Sequence, residues 1–336
     1  MRKAYITRYG AFGDHLHCSH VPRLLKQVRG FDHIAFEYNP KGYAIFLNNP
    51  WIDEHIHYNP LNPTIKNIPV SFLMKRWQVM KEEEKFDEHI NLQWSIEETY
   101  LASENTNDYY RDSAHRRKLF GDLNYYDRTT KWIGLDDHVG TKGELYFSDE
   151  EENIVKGIFQ ERYKDKFVVV ANLSGTTKQK LFIDAKQILT TFLDKHKDVF
   201  VITMGDKAVK DNLEFEHERI VRKATRYPFR QSMLTCKYAN LVIGPESGLC
   251  VASTLLGAPT IQMMTSTGVY NHGGDASNDY SIQADIYCSP CHKAIYEVIG
   301  CPNFYHNGVK YPKCVKSFDT DLILSKMDEI YDSYRA

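Results

Sequence analysis

The chain has 336 residues, more than one hydrophobic core ordinarily holds, so two domains of roughly 150 residues each are expected. Hydrophobic residues make up 42% and charged residues 26%, with 12 Pro and 19 Gly, which excludes disordered, collagen-like and low-complexity chains. Lys plus Arg number 42 against 44 for Asp plus Glu, which argues against strong non-specific nucleic-acid binding while leaving a local basic groove open.

Met1-Arg2-Lys3 runs directly into a strand-like AYIT rather than a secretory segment, and no apolar run approaches the ~18–20 residues that span a bilayer. A cytoplasmic protein with no integral membrane segment is expected. Residues 4–7 form a short apolar run, 10–13 a glycine-punctuated turn, and Leu16, Val21, Leu24 and Leu25 a helical periodicity: strand, turn, helix. Residues 33–37 (HIAFE) read as a second strand, 41–47 as a short helix and 55–58 as a further strand. This alternation implies a parallel sheet covered by helices. Residues 71–135 differ: Trp77, Trp94, Trp132 and many Tyr stand among charge runs such as Arg116-Arg117-Lys118, which reads as helices with long loops.

A charged helix over 148–166 leads into 167–171 (FVVVA), a strand whose continuous apolar character suits burial on both faces. A second alternating series follows: helix 181–196, strand 199–204, helices near 207–215 and 229–238, strand 241–243, helix 248–256 and strand 259–263. Two such series suggest an α/β protein of two Rossmann-like domains facing across a cleft. A final helix over 322–334 is expected to cross back over the first domain.

Three segments can carry chemistry. In Gly10-Ala-Phe-Gly13-Asp14-His15-Leu-His17 the glycines let the backbone approach a ligand, and Asp14 falls where a helix begins, a position that also suits a plain cap. In the loop 172–180 (NLSGTTKQK), Ser174, Thr176 and Thr177 offer hydroxyls, and Lys178 and Lys180 offer charge for a diphosphate at a helix N-terminus. In 244–249, Ser247, Gly248 and Leu249 open a helix, and Glu246 stands where a carboxylate could hold ribose hydroxyls. Neither GxGxxG nor a Walker A loop is present. Four of the seven cysteines, Cys288, Cys291, Cys301 and Cys314, crowd into the last fifth of the chain. They can close a structural Zn²⁺ site, although their intervals differ from a ribbon or finger; reduced packing cysteines are the alternative.

GAFGDHLHCSHVPRLLKQ, NLSGTTKQK, VFVITMGD, YANLVIGPESGL with ASTLLGAP, and the terminal CSPC...CP...C together resemble the family 9 glycosyltransferases, the heptosyltransferase family of lipopolysaccharide synthesis. The likeness runs over most of the chain apart from residues 60–150. It implies a GT-B fold with an acceptor-binding domain over 1–150, a nucleotide-sugar donor domain over 151–316, and a helix in 317–336 packing back on the first domain. It also implies inverting transfer of a sugar from a nucleotide diphosphate, with Asp14 as general base and Gly13, His15 and His17 on the acceptor side. Lys180 corresponds to a family lysine that contacts donor phosphate, with Phe182 two residues on and Lys178 as a substitute. Ser247, Gly248 and Leu249 match the turn whose amides meet the diphosphate. Glu246 replaces a usual Asp, and Val251 stands where the family often has His.

Lysines and helix-terminal amides can stabilise a departing diphosphate without a metal, so no obligatory Mg²⁺ is expected. Two acceptors remain open: a glycan, which is favoured, and a hydroxymethylated base in DNA, suggested by Arg111, Arg116, Arg117 and Lys118 among aromatics. A non-catalytic sugar-nucleotide-binding protein is the third reading, prompted by Glu246 and Val251.

Overall fold

The computed structural model describes residues 1–57, 77, 78, 81, 83, 85–93, 95, 96, 107–121, 123–205, 213–272, 276–293 and 301–336. The chain divides into two units, Met1–Glu97 with Tyr125–Ser148, and Glu98–Asn124 with Asp149–Ala336. The helix expected near 207–215 and the indole of Trp94 fall wholly or largely outside the described residues.

The first unit begins β1 (Lys3–Arg8), α1 (Phe12–Leu16), α2 (Val21–Gln27), β2 (His33–Tyr38), α3 (Pro40–Phe46), β3 (Glu54–His57) and β4 (Glu88–Asn91). Its sheet has the order β3-β2-β1-β4, and the three pairings are parallel. Ala4, Ile6, Ile34 and Phe36 on one face of the central strands and Tyr5 and Ala35 on the other are at most 1% exposed, as expected of a sheet covered on both faces. Asn39 caps α3 by accepting from the Lys41 and Gly42 amides. Strand β4 escapes sequence reading because EHIN carries one apolar residue, Ile90, among polar ones, and an edge strand needs little more.

Next come α4 (Asn107–Tyr110) and α5 (Ser113–Phe120), which belong to the second unit, whereas α6 (Tyr125–Trp132) returns to the first. Residues 98–124 therefore do not share the first domain, as a boundary at 150 had them do. Tyr125 and Tyr126 of α6 are buried and pack edge-on or tilted against His17, so these aromatics serve the core.

The second unit continues through α7 (Asp149–Arg162), β5 (Phe167–Asn172), α8 (Ala185–Lys195), β6 (Val199–Met204), β7 (Ile220–Arg222), α9 (Phe229–Tyr238), β8 (Leu241–Pro245), α10 (Gly248–Leu255), β9 (Thr260–Met264) and β10 (Ile282–Gln283). A hairpin of β11 (Asn303–His306) and β12 (Val309–Pro312) precedes α11 (Thr320–Arg335). The large sheet has the order β10-β9-β8-β5-β6-β7 with parallel pairings throughout. Its core joins Phe167, Val169 and Ala171 to Ile188 and Phe192 of α8 and to Ile323, Met327 and Ile330 of α11. The apolar face of α11 is thus spent on the second unit, which corrects the expectation that this helix packs on the first.

Candidate functional site

In both sheets the chain order reverses beside the first strand of the unit. β5 runs on to β6 and β7 on one side, while β8, β9 and β10 lie on the other; β1 likewise stands between β2 and β4. Ligands of open α/β sheets bind outside the carboxyl ends of the strands at such a switch point. The loops that follow β1, β5 and β8 are the three segments singled out by sequence.

The loop after β5 is tightly folded. The Gly175 amide donates to the Lys180 carbonyl at 2.7 Å, and the Phe182 amide to the Leu173 carbonyl at 2.9 Å. Phe182, fully buried, anchors its far end. A Cβ on Gly175 would stand 2.9 Å from Lys180 Cβ and 3.2 Å from the Glu246 carbonyl, so glycine is what lets Lys180 lie across the next loop. The Asn172 amide donates to the Ser174 carbonyl at 3.0 Å and to Ser247 Oγ at 2.9 Å, joining the two loops. Ser247 caps α10 by accepting from the Cys250 amide at 3.3 Å. The Gly248 and Leu249 amides, in the first turn of α10, have no acceptor within the helix and carry its positive dipole end.

Lys180 Nζ lies 2.8 Å from Glu246 Oε1, with the lysine 16% and the glutamate 1% exposed. Thr267 donates its hydroxyl to Glu246 Oε2, and His272 Nε2 stands 3.7 Å from Oε1 and 3.2 Å from Thr267 Oγ1. Burial pushes the Glu246 carboxyl up, but Lys180 and His272 outweigh it and hold the group well below the usual carboxylate range. A buried carboxylate with both oxygens engaged does not present itself to a ribose. That corrects the expected role of Glu246, whose length reaches inward to the lysine.

Sequence reading missed Thr267 and His272. They come from the loop after β9, the strand beside β8, where the small hydroxyl run Thr265-Ser266-Thr267 was the available signal. Thr176 is exposed, Lys178 half-buried, and the buried Thr177 hydroxyl has no hydrogen-bond partner among the described residues.

In the first unit, Gly10 has φ +157°, and a Cβ there would stand 2.4 Å from Asp14 Oδ2. Asp14 occupies the first turn of α1, accepts from the Ala11 amide at 2.6 Å, and lies 3.7 Å from the buried Arg8 guanidinium. It is a cap, yet its side chain remains 29% exposed. Gly13 is half-buried beside it. His15 and His17 are 0% and 3% exposed, so neither is set out toward an acceptor, as expectation had it. The His15 ring packs edge-on to Phe46 and faces the Ala11 carbonyl at 2.7 Å. Burial, aided by Arg8, holds its pKa down to about 3.

Cys288, Cys291, Cys301 and Cys314 line one cavity of about 530 Å³ in the second unit, with Arg116, Arg117, Lys293 and Gln179. Burial raises the Cys291 thiol to about 11 and the Cys314 thiol further. Among the described residues, no three His, Cys, Asp or Glu stand within reach of one metal ion. Arg116 is 4% exposed and donates to the Cys291 and Tyr109 carbonyls, so the basic run at 116–118 is partly spent inside the fold.

No family model and no curated protein matches the sequence. Solved structures do. A glycosyl transferase of family 9 from Veillonella parvula is 11% identical and superposes with a TM-score of 0.70 over 98% of this chain and 97% of that one. ADP-heptose lps heptosyltransferase II of E. coli is 11% identical, with a TM-score of 0.64 and 100% of both chains covered. The iron-containing dodecameric glycosyltransferase TibC of enterotoxigenic E. coli is 10% identical, with a TM-score of 0.63 over 99% of this chain and 77% of that one. At these identities the likeness shows the fold: the chain has the α/β architecture of the family 9 glycosyltransferases. No helix among the described residues is long and apolar enough to cross a membrane.

Proposed function

We propose that this chain, folded as the family 9 glycosyltransferases are, moves a sugar from a nucleoside-diphosphate sugar to an acceptor hydroxyl with inversion. The observation that carries the reading is the pair of loops joined at the β5/β8 switch point. Lys180, the Ser247 cap and the first amides of α10 stand together there, and an open α/β sheet receives a diphosphate at such a point. Negative charge that develops on the departing diphosphate meets Lys180 and the dipole end of α10, so the departure needs no obligatory metal. Asp14, 3.7 Å from the Arg8 guanidinium, takes the proton of the attacking hydroxyl, a role worth ~10²–10⁴ in rate. The acceptor is of the glycan type. Arg116, one of the residues that suggested DNA, is buried and donates to backbone carbonyls.

Asp14→Asn is the test. Transfer should fall by about 10²–10⁴ while diphosphate affinity stays. Unchanged turnover would remove Asp14 as the base, and a wild-type protein that binds the diphosphate but transfers to neither glycan nor hydroxymethylated DNA would favour a non-catalytic binder.

The cysteine cavity favours a second element of this reading, a structural Zn²⁺ or another thiophilic divalent ion held by Cys288, Cys291, Cys301 and Cys314. The donor set fits in chemistry, though the described positions stand further apart than ligands of one ion. Four thiolates and a divalent ion carry a net negative charge, and Arg116 and Lys293, which have no carboxylate partner among the described residues, face it. Bound there, the ion would tie residues 288–291 to both ends of the β11–β12 hairpin. Elemental analysis of the purified chain should give about one equivalent of zinc, or of iron as in the neighbour described as iron-containing, and Cys291→Ser should lower it. A metal-free, folded protein overturns this part.

A further inference from the structure

The lysine at the switch point does not stand alone, and two of the residues behind it, Thr267 and His272, belong to none of the three segments singled out in the sequence. Glu246 is tied on both oxygens, to Lys180 on one and to Thr267 on the other, and His272 bridges toward both Glu246 and the Thr267 hydroxyl. His272 is itself fixed from behind. Its neighbour Asn271 is fully buried and donates to the carbonyl of Phe120, the last residue of α5, at 3.0 Å and to the Leu123 carbonyl at 2.6 Å. Asn271 Oδ1 also accepts from the Gly268 amide at 2.7 Å, which closes the turn that carries His272.

We infer that His272 is a positioning residue for the donor-phosphate lysine: through Thr267 and Glu246 it sets where the Lys180 ammonium stands, without touching the donor itself. The inference rests on the donor-site reading above. The physical reason is charge geometry. A carboxylate free to rotate in a buried pocket would draw the ammonium inward to different extents, whereas one clamped at both oxygens leaves the lysine one position.

The test compares His272→Leu, which removes the bridging nitrogen, with His272→Gln, whose amide nitrogen can occupy the place of Nε2. Binding is measured for whichever of ADP, UDP, GDP, CDP and dTDP binds the unaltered protein, and for its parent nucleoside, with melting temperature recorded for each variant. The expected result is about tenfold weaker diphosphate binding in His272→Leu, with nucleoside binding unchanged and His272→Gln restoring most of the loss. Equal loss for diphosphate and nucleoside, or no rescue by Gln in a folded variant, shows a merely structural histidine and overturns the inference. Diphosphate binding indifferent to His272→Leu also overturns it and leaves the donor reading standing. Failure of the unaltered protein to bind any diphosphate overturns the donor reading and this inference with it.

Discussion

Glu246 is 1% exposed, with Lys180 at 2.8 Å from one carboxylate oxygen and the Thr267 hydroxyl donating to the other. Because the pair is buried, removing one partner leaves an uncompensated charge. Lys180→Met should therefore destabilise the second unit by about 3–5 kcal/mol in urea unfolding, and Lys180→Met with Glu246→Leu should recover much of that without recovering diphosphate binding. Lys180 and Ser247 were legible because loop residues after buried strands stand out. Thr267 and His272 were not, because their partner lies on another loop and only the fold brings the two together. His15 and His20 were equally opaque: each is fully buried, and burial holds each pKa at about 3 against an ordinary 6.5. The unfolded chain binds protons on both below about pH 6.5 while the folded one does not. Stability should fall as pH drops from 6.5 toward 3, by up to about 1.4 kcal/mol per pH unit for each, and His20→Phe should flatten the slope if its volume is accepted.

At the scale of elements, the strands that sequence fixed most clearly are those buried on both faces. FVVVA reads as a strand because five consecutive apolar residues this short leave a helix no polar face, whereas EHIN and the brief β7 and β10 offer no pattern to read. The loops are legible in composition but not in their joints. Ser247 Oγ receives the Asn172 amide as well as the Cys250 amide, so Ser247→Ala should cost about 1 kcal/mol and loosen the two loops from each other. Gly175→Ala tests the close approach directly. The new methyl meets Lys180 Cβ at 2.9 Å, so the lysine must move; a loss of about 1–3 kcal/mol in stability and a clear drop in diphosphate affinity are expected.

At the scale of the molecule, the motif order gave the architecture and the chain's division gave the surprise. Residues 98–124 and α11 both belong to the second unit, where Met327 and Ile323 are fully buried beside Phe167. An amphipathic helix shows that it has an apolar face but not which sheet receives it, so its destination could not be read in advance. Met327→Ala should therefore unfold the second unit more easily, by about 2–5 kcal/mol. On the proposed reading, this unit holds a nucleoside diphosphate. The most direct measurement is thermal unfolding with ADP, UDP, GDP, CDP and dTDP, each with Mg²⁺ and with a chelator, since a ligand at 100 times its Kd adds about 2.7 kcal/mol to the folded state. A selective rise in Tm with one diphosphate, equal with and without metal, is expected; no rise with any of them, in a cooperatively folded sample, would mean that the unit holds no nucleoside diphosphate.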